Sequence, residues 1–236
     1  MNYQSRKRMP GMTSDIVPGD ICVLPFPLND LAAEKKRPAL ALTSPDQCGD
    51  VRFAFITVKS SNHPATIKLE AGDYADNYQS LPRDCYIRLE KQYFLPKEIV
   101  IKKKTRLSPN KLQLVLRADV VNAVKPFCDE KYQEKAFVPG VSGVPVSGKI
   151  IGEQEVGNIV DSALDGWLTT GRFNTEFEKK LGKFIGVKHV LTTNSGSSAN
   201  LLALATLTSD KLAEKALKKG DEGITVAAGF PTTVNP

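Results

Sequence analysis

The pattern of apolar positions changes character once along the chain. Between Asp20 and about Arg117 the apolar residues come in short runs: ICVLPFP (21–27), RPALALT (37–43), VRFAFITVK (51–59), DCYIRLEKQ (84–92) and EIVIKKKTRL (98–107). Each run is rich in Val, Ile, Phe or Tyr and is bounded by Pro, Gly, Asn or Asp, the signature of strands separated by turns. One stretch, SPNKLQLVLRADVVNAV (108–124), has helical spacing, with Leu112, Leu116 and Val120 on one face and Ser108-Pro109 as a start signal. Five or six strands followed by a helix predict an α+β unit built on a small, curled, barrel-like sheet.

From Lys125 the pattern is different. The segment KPFCDEKYQEKAFVPGVSGVPVSGKIIGEQE is rich in Pro and Gly with little periodicity, and reads as a linker or extended arm. Helices and strands then alternate. GEQEVGNIVDSALDGWL (152–168) and NTEFEKKLGKFIG (174–186) are amphipathic, VKHVLTTN (187–194) and EGITVAAG (222–229) read as strands, and SSANLLALATL (197–207) as a buried helix. Such alternation predicts an α/β fold with a parallel sheet. The expected organisation is a disordered basic tail at 1–15, the barrel at 16–124, the linker at 125–150 and the α/β segment at 151–236.

Composition narrows the function classes. The chain is 41% hydrophobic and 25% charged, and no apolar run approaches the length of a membrane span. No apolar core follows the basic N-terminus, so it does not read as a secretory signal, and a cytoplasmic protein is expected. Cys22, Cys48, Cys85 and Cys128 show no CxxC spacing; they read as reduced packing residues rather than a metal site. Residues 1–124 hold 19 Lys+Arg against 13 Asp+Glu, and residues 125–236 hold 13 of each, so the whole net charge of +6 sits in the first half. An anionic partner for that half fits the asymmetry, although a mild excess also suits any soluble domain.

The first half carries P-G-D-I (18–21), a charged loop NDLAAEKK (29–36), then R-P-A-L (37–40), FAFITVKSS (53–61) and LPRDCYIRLEKQYFLPKEIVIKKKTRLSPNKL (81–112). In this order, across residues 16–122, it resembles the MazF/PemK toxin family. That resemblance implies an SH3-like barrel, a homodimer, an endoribonuclease cutting single-stranded RNA, and neutralisation by an acidic antitoxin protein. It also implies site residues: Arg37 beside the loop, Arg88 on a strand and Thr57 at a strand end. Cleaving RNA requires activating a 2′-hydroxyl, stabilising a phosphorane and protonating the leaving oxygen. An arginine fork clamps phosphate oxygens, and a threonine hydroxyl donates to one. Glu90, two residues after Arg88, shares its strand face and could act as base or orient the guanidinium. The family often has Asp there. Strand arginines are ordinarily solvated, so the assignment rests on the pattern. His63 matches no motif position, and Lys102, Lys103 and Lys104 read first as a solvated edge.

The second half reads FVPGVSGVPVSGKI (137–150), LDGWLTTGRFNTEFEKKLGKFIGVKHVLTTNSGSSANLLALATLTS (164–209) and ALKKGDEGITVAAGFPTTVNP (216–236). It resembles the DegT/StrS sugar aminotransferases, most closely the branch of sugar-nucleotide 3-dehydratases of lipopolysaccharide biosynthesis. The implied fold is an incomplete large domain of type I pyridoxal-phosphate enzymes. By resemblance, Gly196, Ser197 and Ser198 cradle the cofactor phosphate at a helix start, and Phe230 stacks on its ring. The family's catalytic base lies beyond the point matching Pro236. The lysines present (Lys211, Lys215, Lys218 and Lys219) match no catalytic position. The expectation is an RNA-cleaving toxin that needs no cofactor, joined to a non-catalytic fragment with a vestigial pyridoxal phosphate site at most. The alternative is a truncated sugar-nucleotide aminotransferase or 3-dehydratase. The fragment is expected to pack poorly, because an apolar helix beside two or three strands cannot bury its surface.

Overall fold

The computed structural model describes residues 15–26, 35–133 and 136–234. The basic tail (1–14) and most of the charged loop (27–34) lie outside the described residues. The chain divides into two units, one ending at Asp165 and one running from Gly166.

In the first unit six strands form one antiparallel sheet in the order β4-β5-β3-β2-β1-β6, curled into a half-barrel. The strands are β1 (Asp20–Phe26), β2 (Lys35–Ala41), β3 (Asp50–Thr57), β4 (Thr66–Leu69), β5 (Cys85–Pro96) and β6 (Lys102–Arg106). The unit also holds helices α1 (Pro109–Asn122), α2 (Lys125–Lys131) and α3 (Glu153–Ala163). Five strands fall where the apolar runs predict them. The four-residue β4 was not anticipated, since its Thr-Ile-Lys-Leu is too short to show a period. The run 98–107 breaks into a 3₁₀ turn at Lys97–Ile99 before β6.

Both faces of the sheet are buried, which explains why the strands read as nearly continuous apolar runs. One face carries Ile21, Leu40, Ala54, Ile56 and Ile87 and packs against Val115 of α1. The other carries Cys22, Leu24, Ala39, Ala41, Val51 and Phe53. The Ser108 hydroxyl caps α1 by accepting from the Lys111 amide at 3.3 Å. Its inward face is Leu112, Val115 and Asp119; Val120, expected there, is exposed instead. Asp119 is buried because Arg52 of β3 donates to its Oδ2 at 2.7 Å and Gln92 of β5 to its Oδ1 at 2.5 Å. One helical carboxylate thus ties α1 to two strands, as a buried charge must be paired to be tolerated.

The Pro-Gly-Asp start of β1 has a comparable role. Gly19 sits at φ +95°, a left-handed conformation that favours glycine, and a Cβ there would meet Leu112 Cδ2 at 3.2 Å. Asp20 is buried and accepts from Arg106 at 2.7 Å and from Lys103 at 2.9 Å, both on β6. Lys103 is therefore a structural cation rather than a free edge lysine. Burial, reinforced by the Asp20 carboxylate and only partly offset by Lys103, pushes the Cys22 thiol up to about 12. It is an inert packing group at neutral pH.

The segment expected as a linker is not featureless. Residues 125–131 form α2, and both α1 and α2 pack on α3. Arg117 of α1 binds the Asp161 carboxylate and, at 2.6 Å, that of Asp165. Lys125 reaches Glu153 at 2.9 Å.

In the second unit α4 (Arg172–Ile185), α5 (Gly196–Leu207) and a short α6 (Pro231–Val234) form where helices were expected, apart from α6. The strands predicted at 187–194 and 222–229 do not form among the described residues. A strand exists only when a neighbour takes its backbone groups. Here the Thr192 amide goes instead to the Glu178 carboxylate of α4 at 2.8 Å. The helix at 197–207 forms but is not buried: Leu201 is 54% exposed and Leu207 48%. From Gly166 on, Gly182 is the one buried residue among those described. No described helix is long and apolar enough to cross a membrane. The first unit's core is the better defined, and Phe53→Ala should lower its unfolding free energy by about 3–5 kcal/mol in urea denaturation.

Candidate functional site

The site forms where the pairing of β3 with β5 slips. Ala54 pairs with Gln92, but the next residue, Phe55, pairs with Arg88. Leu89, Glu90 and Lys91 are thereby left without β3 partners, and a bulge of this kind re-aims side chains. Leu89 N–H instead donates to the Ala65 carbonyl at 2.9 Å, and Leu89 enters the core beneath α1. Arg88 is placed beside Phe55 on the opposite face. Glu90 swings back so that its Oε1 accepts from Arg88 Nε. The two residues meet, as their spacing suggested.

Arg37 enters from β2. Its Cζ lies 5.3 Å from the centre of the Phe55 ring, a cation–π contact that holds the guanidinium over the sheet. Phe55 therefore has the Arg37 guanidinium over its ring and Arg88 as its ladder partner on β5. Thr57 lies two residues further along the same face of β3. Ala39 pairs with Phe55, so the β2–β3 register runs on toward Arg37 and Thr57. The Thr57 oxygen accepts from the Lys59 amide at 3.2 Å, which leaves its hydroxyl proton to donate outward. The four residues expected in the first half are thus gathered on three adjacent strands. Among the described residues Arg37 makes no ion pair, whereas Arg88 is held by Glu90. Two arginines spaced by an aromatic ring can clasp a phosphodiester while the ring offers a stacking surface for a base.

His63 lies closer to this centre than its lack of a motif position suggested. Its Nδ1 is 3.9 Å from Glu90 Oε2 and accepts from the Ala65 amide at 3.1 Å. That backbone bond favours the tautomer with its proton on Nε2. The sequence marks it only as a histidine in the loop SSNHPAT with the chemistry of a general base, because its approach to Glu90 depends on the fold. Behind Glu90 opens a cavity of about 750 Å³, bounded by His63, Leu89, Asn122, Pro126 and Glu153.

The second-half candidates are not assembled. The helix cap at α5 is Ser195, whose hydroxyl accepts from the Ser198 amide at 3.2 Å, with Gly196 as the first helical residue and Ser197 next. A Cβ at Gly196 would meet nothing within 4 Å, so no close backbone approach requires glycine there. Phe230 is 82% exposed. The free amides of the first turn could face an anion, but among the described residues Phe230 stands open to solvent and does not form a wall for a cofactor ring.

Comparison with known proteins divides the chain at the same place as its apolar pattern. Residues 18–118 match the family of PemK-like, MazF-like toxins of type II toxin–antitoxin systems. Residues 149–236 match the DegT/DnrJ/EryC1/StrS aminotransferase family. The two matches fall on separate stretches of the chain, and each covers less than half of it. It is 65% identical over 121 residues to the lipopolysaccharide biosynthesis protein RfbH of Salmonella typhimurium, covering 51% of this chain and 28% of the relative. It is 43% identical over 104 residues to dTDP-4-dehydro-2,6-dideoxy-D-glucose 3-dehydratase of Saccharopolyspora spinosa, covering 44% and 22%. The chain thus spans less than a third of the length of either relative. Among solved structures, the Mycobacterium tuberculosis toxin MazF-mt6 is 17% identical, with a TM-score of 0.34 over 44% of this chain and 94% of that one. A mycobacterial endoribonuclease in complex with its cognate antitoxin is 16% identical, with a TM-score of 0.33 over the same shares.

All four clustered residues, Arg37, Thr57, Arg88 and Glu90, fall in the toxin-family segment. The helix α3 belongs to the aminotransferase-family segment by sequence and to the first unit by packing. Within the cluster, Glu90 is the charge that competes with an incoming anion for Arg88. Glu90→Gln should bind tripolyphosphate about two- to tenfold more tightly than the parent in titration calorimetry, because the guanidinium loses its internal partner.

Proposed function

We propose that the first unit is a ribonuclease toxin that cuts single-stranded RNA with side chains alone. The observation that carries this reading is the placement of Arg37 and Arg88 on either side of Phe55, with Glu90 on Arg88. In this reading the two guanidinium groups hold the non-bridging oxygens of the scissile phosphate. The Thr57 hydroxyl donates to one of them. Glu90 takes the proton of the neighbouring 2′-hydroxyl as its oxygen attacks phosphorus. The P–O5′ bond breaks, and the proton returns to the leaving 5′-oxygen. Products are a 2′,3′-cyclic phosphate and a 5′-hydroxyl. Arginine cannot serve as the acid or base at neutral pH, so its share is charge stabilisation and Glu90 carries the proton.

The family description of residues 18–118 as a toxin of a type II toxin–antitoxin system supports an antitoxin partner. In this reading it is an acidic protein whose carboxylates would compete with RNA for the same arginines, and the chain pairs with a second copy as a homodimer.

A second reading is supported by the 65% identity to RfbH, namely a pyridoxal-phosphate-dependent sugar-nucleotide aminotransferase or 3-dehydratase of lipopolysaccharide biosynthesis. The open surroundings of Gly196 and Phe230 weigh against it, and we take residues 166–236 as a non-catalytic segment.

The test is cleavage of a single-stranded RNA by the purified chain in EDTA. Arg88→Ala and Arg37→Ala should each lower the rate by about 10²–10³-fold, the usual loss when one donor to a developing oxyanion is removed. Cleavage unaffected by both substitutions would remove the site from consideration.

A further inference from the structure

The proposed cleavage leaves one proton without a carrier. In-line displacement puts the attacking 2′-oxygen and the leaving 5′-oxygen on opposite sides of phosphorus, so one carboxylate cannot serve both. Glu90 takes the proton from the first, and a second group must hand one to the other. Arginine is excluded by its permanent charge. We propose that His63 is that group, taking a proton from Glu90 at Nδ1 and delivering the one on Nε2 to the leaving oxygen. This rests on the ribonuclease reading and deepens it.

Elimination narrows the choice. Around the cavity behind Glu90, Arg52 is paired with Asp119, and Lys125 with Glu153 and Asp129. Apart from Glu90 itself, His63 is the remaining titratable group among the described residues that line it. Histidine is also the residue type that exchanges a proton near neutral pH. The Nδ1 atom of His63 lies 3.9 Å from Glu90 Oε2, and the side chain is 41% exposed, so a substrate can reach it.

The backbone holds the ring in place. Buried Ala65 donates its amide to His63 Nδ1 at 3.1 Å, and its carbonyl accepts from the Leu89 amide at 2.9 Å. The His63 carbonyl accepts from the Thr66 amide at 2.9 Å, and its own amide donates to the Ser61 hydroxyl at 3.1 Å. Loop and bulge are thus one hydrogen-bonded piece, which aligns the imidazole before a substrate arrives.

The tautomer suits a relay. Because Nδ1 accepts from the Ala65 amide, the ring carries its proton on Nε2 and is a poor acid as it stands. It becomes a good one when Glu90, having taken the 2′-hydroxyl proton, passes it to Nδ1. The new N–H turns from the Ala65 amide to the Glu90 carboxylate. The Nε2 proton then goes to the 5′-oxygen as the P–O5′ bond breaks. Glu90 ends ionised and the ring ends neutral with its proton on Nδ1, and exchange with water restores the starting tautomer.

A side chain that accepts from the amide two residues on is also an ordinary turn device, so the test separates the two roles. His63→Asn keeps an acceptor for that amide and removes the relay. Two RNAs of one sequence are cut by the full chain in EDTA, one natural and one with sulfur in place of the scissile 5′-oxygen. A thiol, with a pKa of about 8.5, leaves as thiolate and needs no proton. His63→Asn should cut the natural RNA about 10²–10³-fold more slowly than the parent, and the sulfur RNA within about threefold of it. Arg88→Ala should be slow on both, since charge stabilisation is needed whichever atom leaves. His63→Asn matching the parent on natural RNA, or slowed equally on both, overturns the relay and leaves the ribonuclease reading standing. A parent that cuts neither RNA sinks that reading, and the relay with it.

Discussion

The slip between β3 and β5 is the constraint on which the candidate site depends. In an unbroken ladder, Arg88 and Glu90 would project from one face and Leu89 from the other, and Glu90 would stand clear of α1. Shifting the register between Ala54 and Phe55 instead frees Leu89–Lys91 to turn. Arg88 stays in the ladder opposite Phe55, while Glu90 reaches both Arg88 and the vicinity of His63. The buried Asp119, held by Arg52 and Gln92, clamps α1 onto the sheet just beyond the slip. A sheet buried on both faces is stiff to sliding, since a one-residue shift exchanges its faces. The bulge is therefore a fixed feature, and the arginine–carboxylate arrangement with it.

Much of this could be read from the residues. The runs ending in RPALAL and FAFITVK announced β2 and β3, and Ser108-Pro109 announced α1. Arg37, Thr57, Arg88 and Glu90 were expected from the order of motifs, and the fold places them on three adjacent strands. His63 and the cavity were not, since both depend on residues far apart in sequence being joined by the bulge and by α3. Lys103 misled in the other direction: in KKKTR it reads as one of three edge lysines, but β1–β6 pairing sets it on the buried Asp20. Local composition tells which residues prefer a strand, not which carboxylate waits on the next one.

The second unit shows the same limit. VKHVLTTN and EGITVAAG have the composition of buried strands, and SSANLLALATL that of a buried helix. Only the helix forms, because its hydrogen bonds are internal, while a strand must borrow them from a neighbour. Apolar side chains on α5 then remain in solvent without a layer to cover them. By contrast α3, with Asp161 and Asp165 turned to Arg117 and Gly157 close against Val121, has found a partner surface in the first unit. Sequence family and structural unit therefore part company at this helix.

The central claim is that two arginines and a carboxylate on a bulged sheet cleave RNA by attack of the 2′-oxygen. The most direct measurement is the chemistry of the product ends, by mass spectrometry of a short RNA cut by the full chain in EDTA. The account predicts a 2′,3′-cyclic phosphate on the upstream fragment, a 5′-hydroxyl on the downstream one, and no cutting where a single 2′-deoxynucleotide replaces the attacking position. A 3′-hydroxyl with a 5′-phosphate, or cleavage that survives the deoxy substitution, would contradict it.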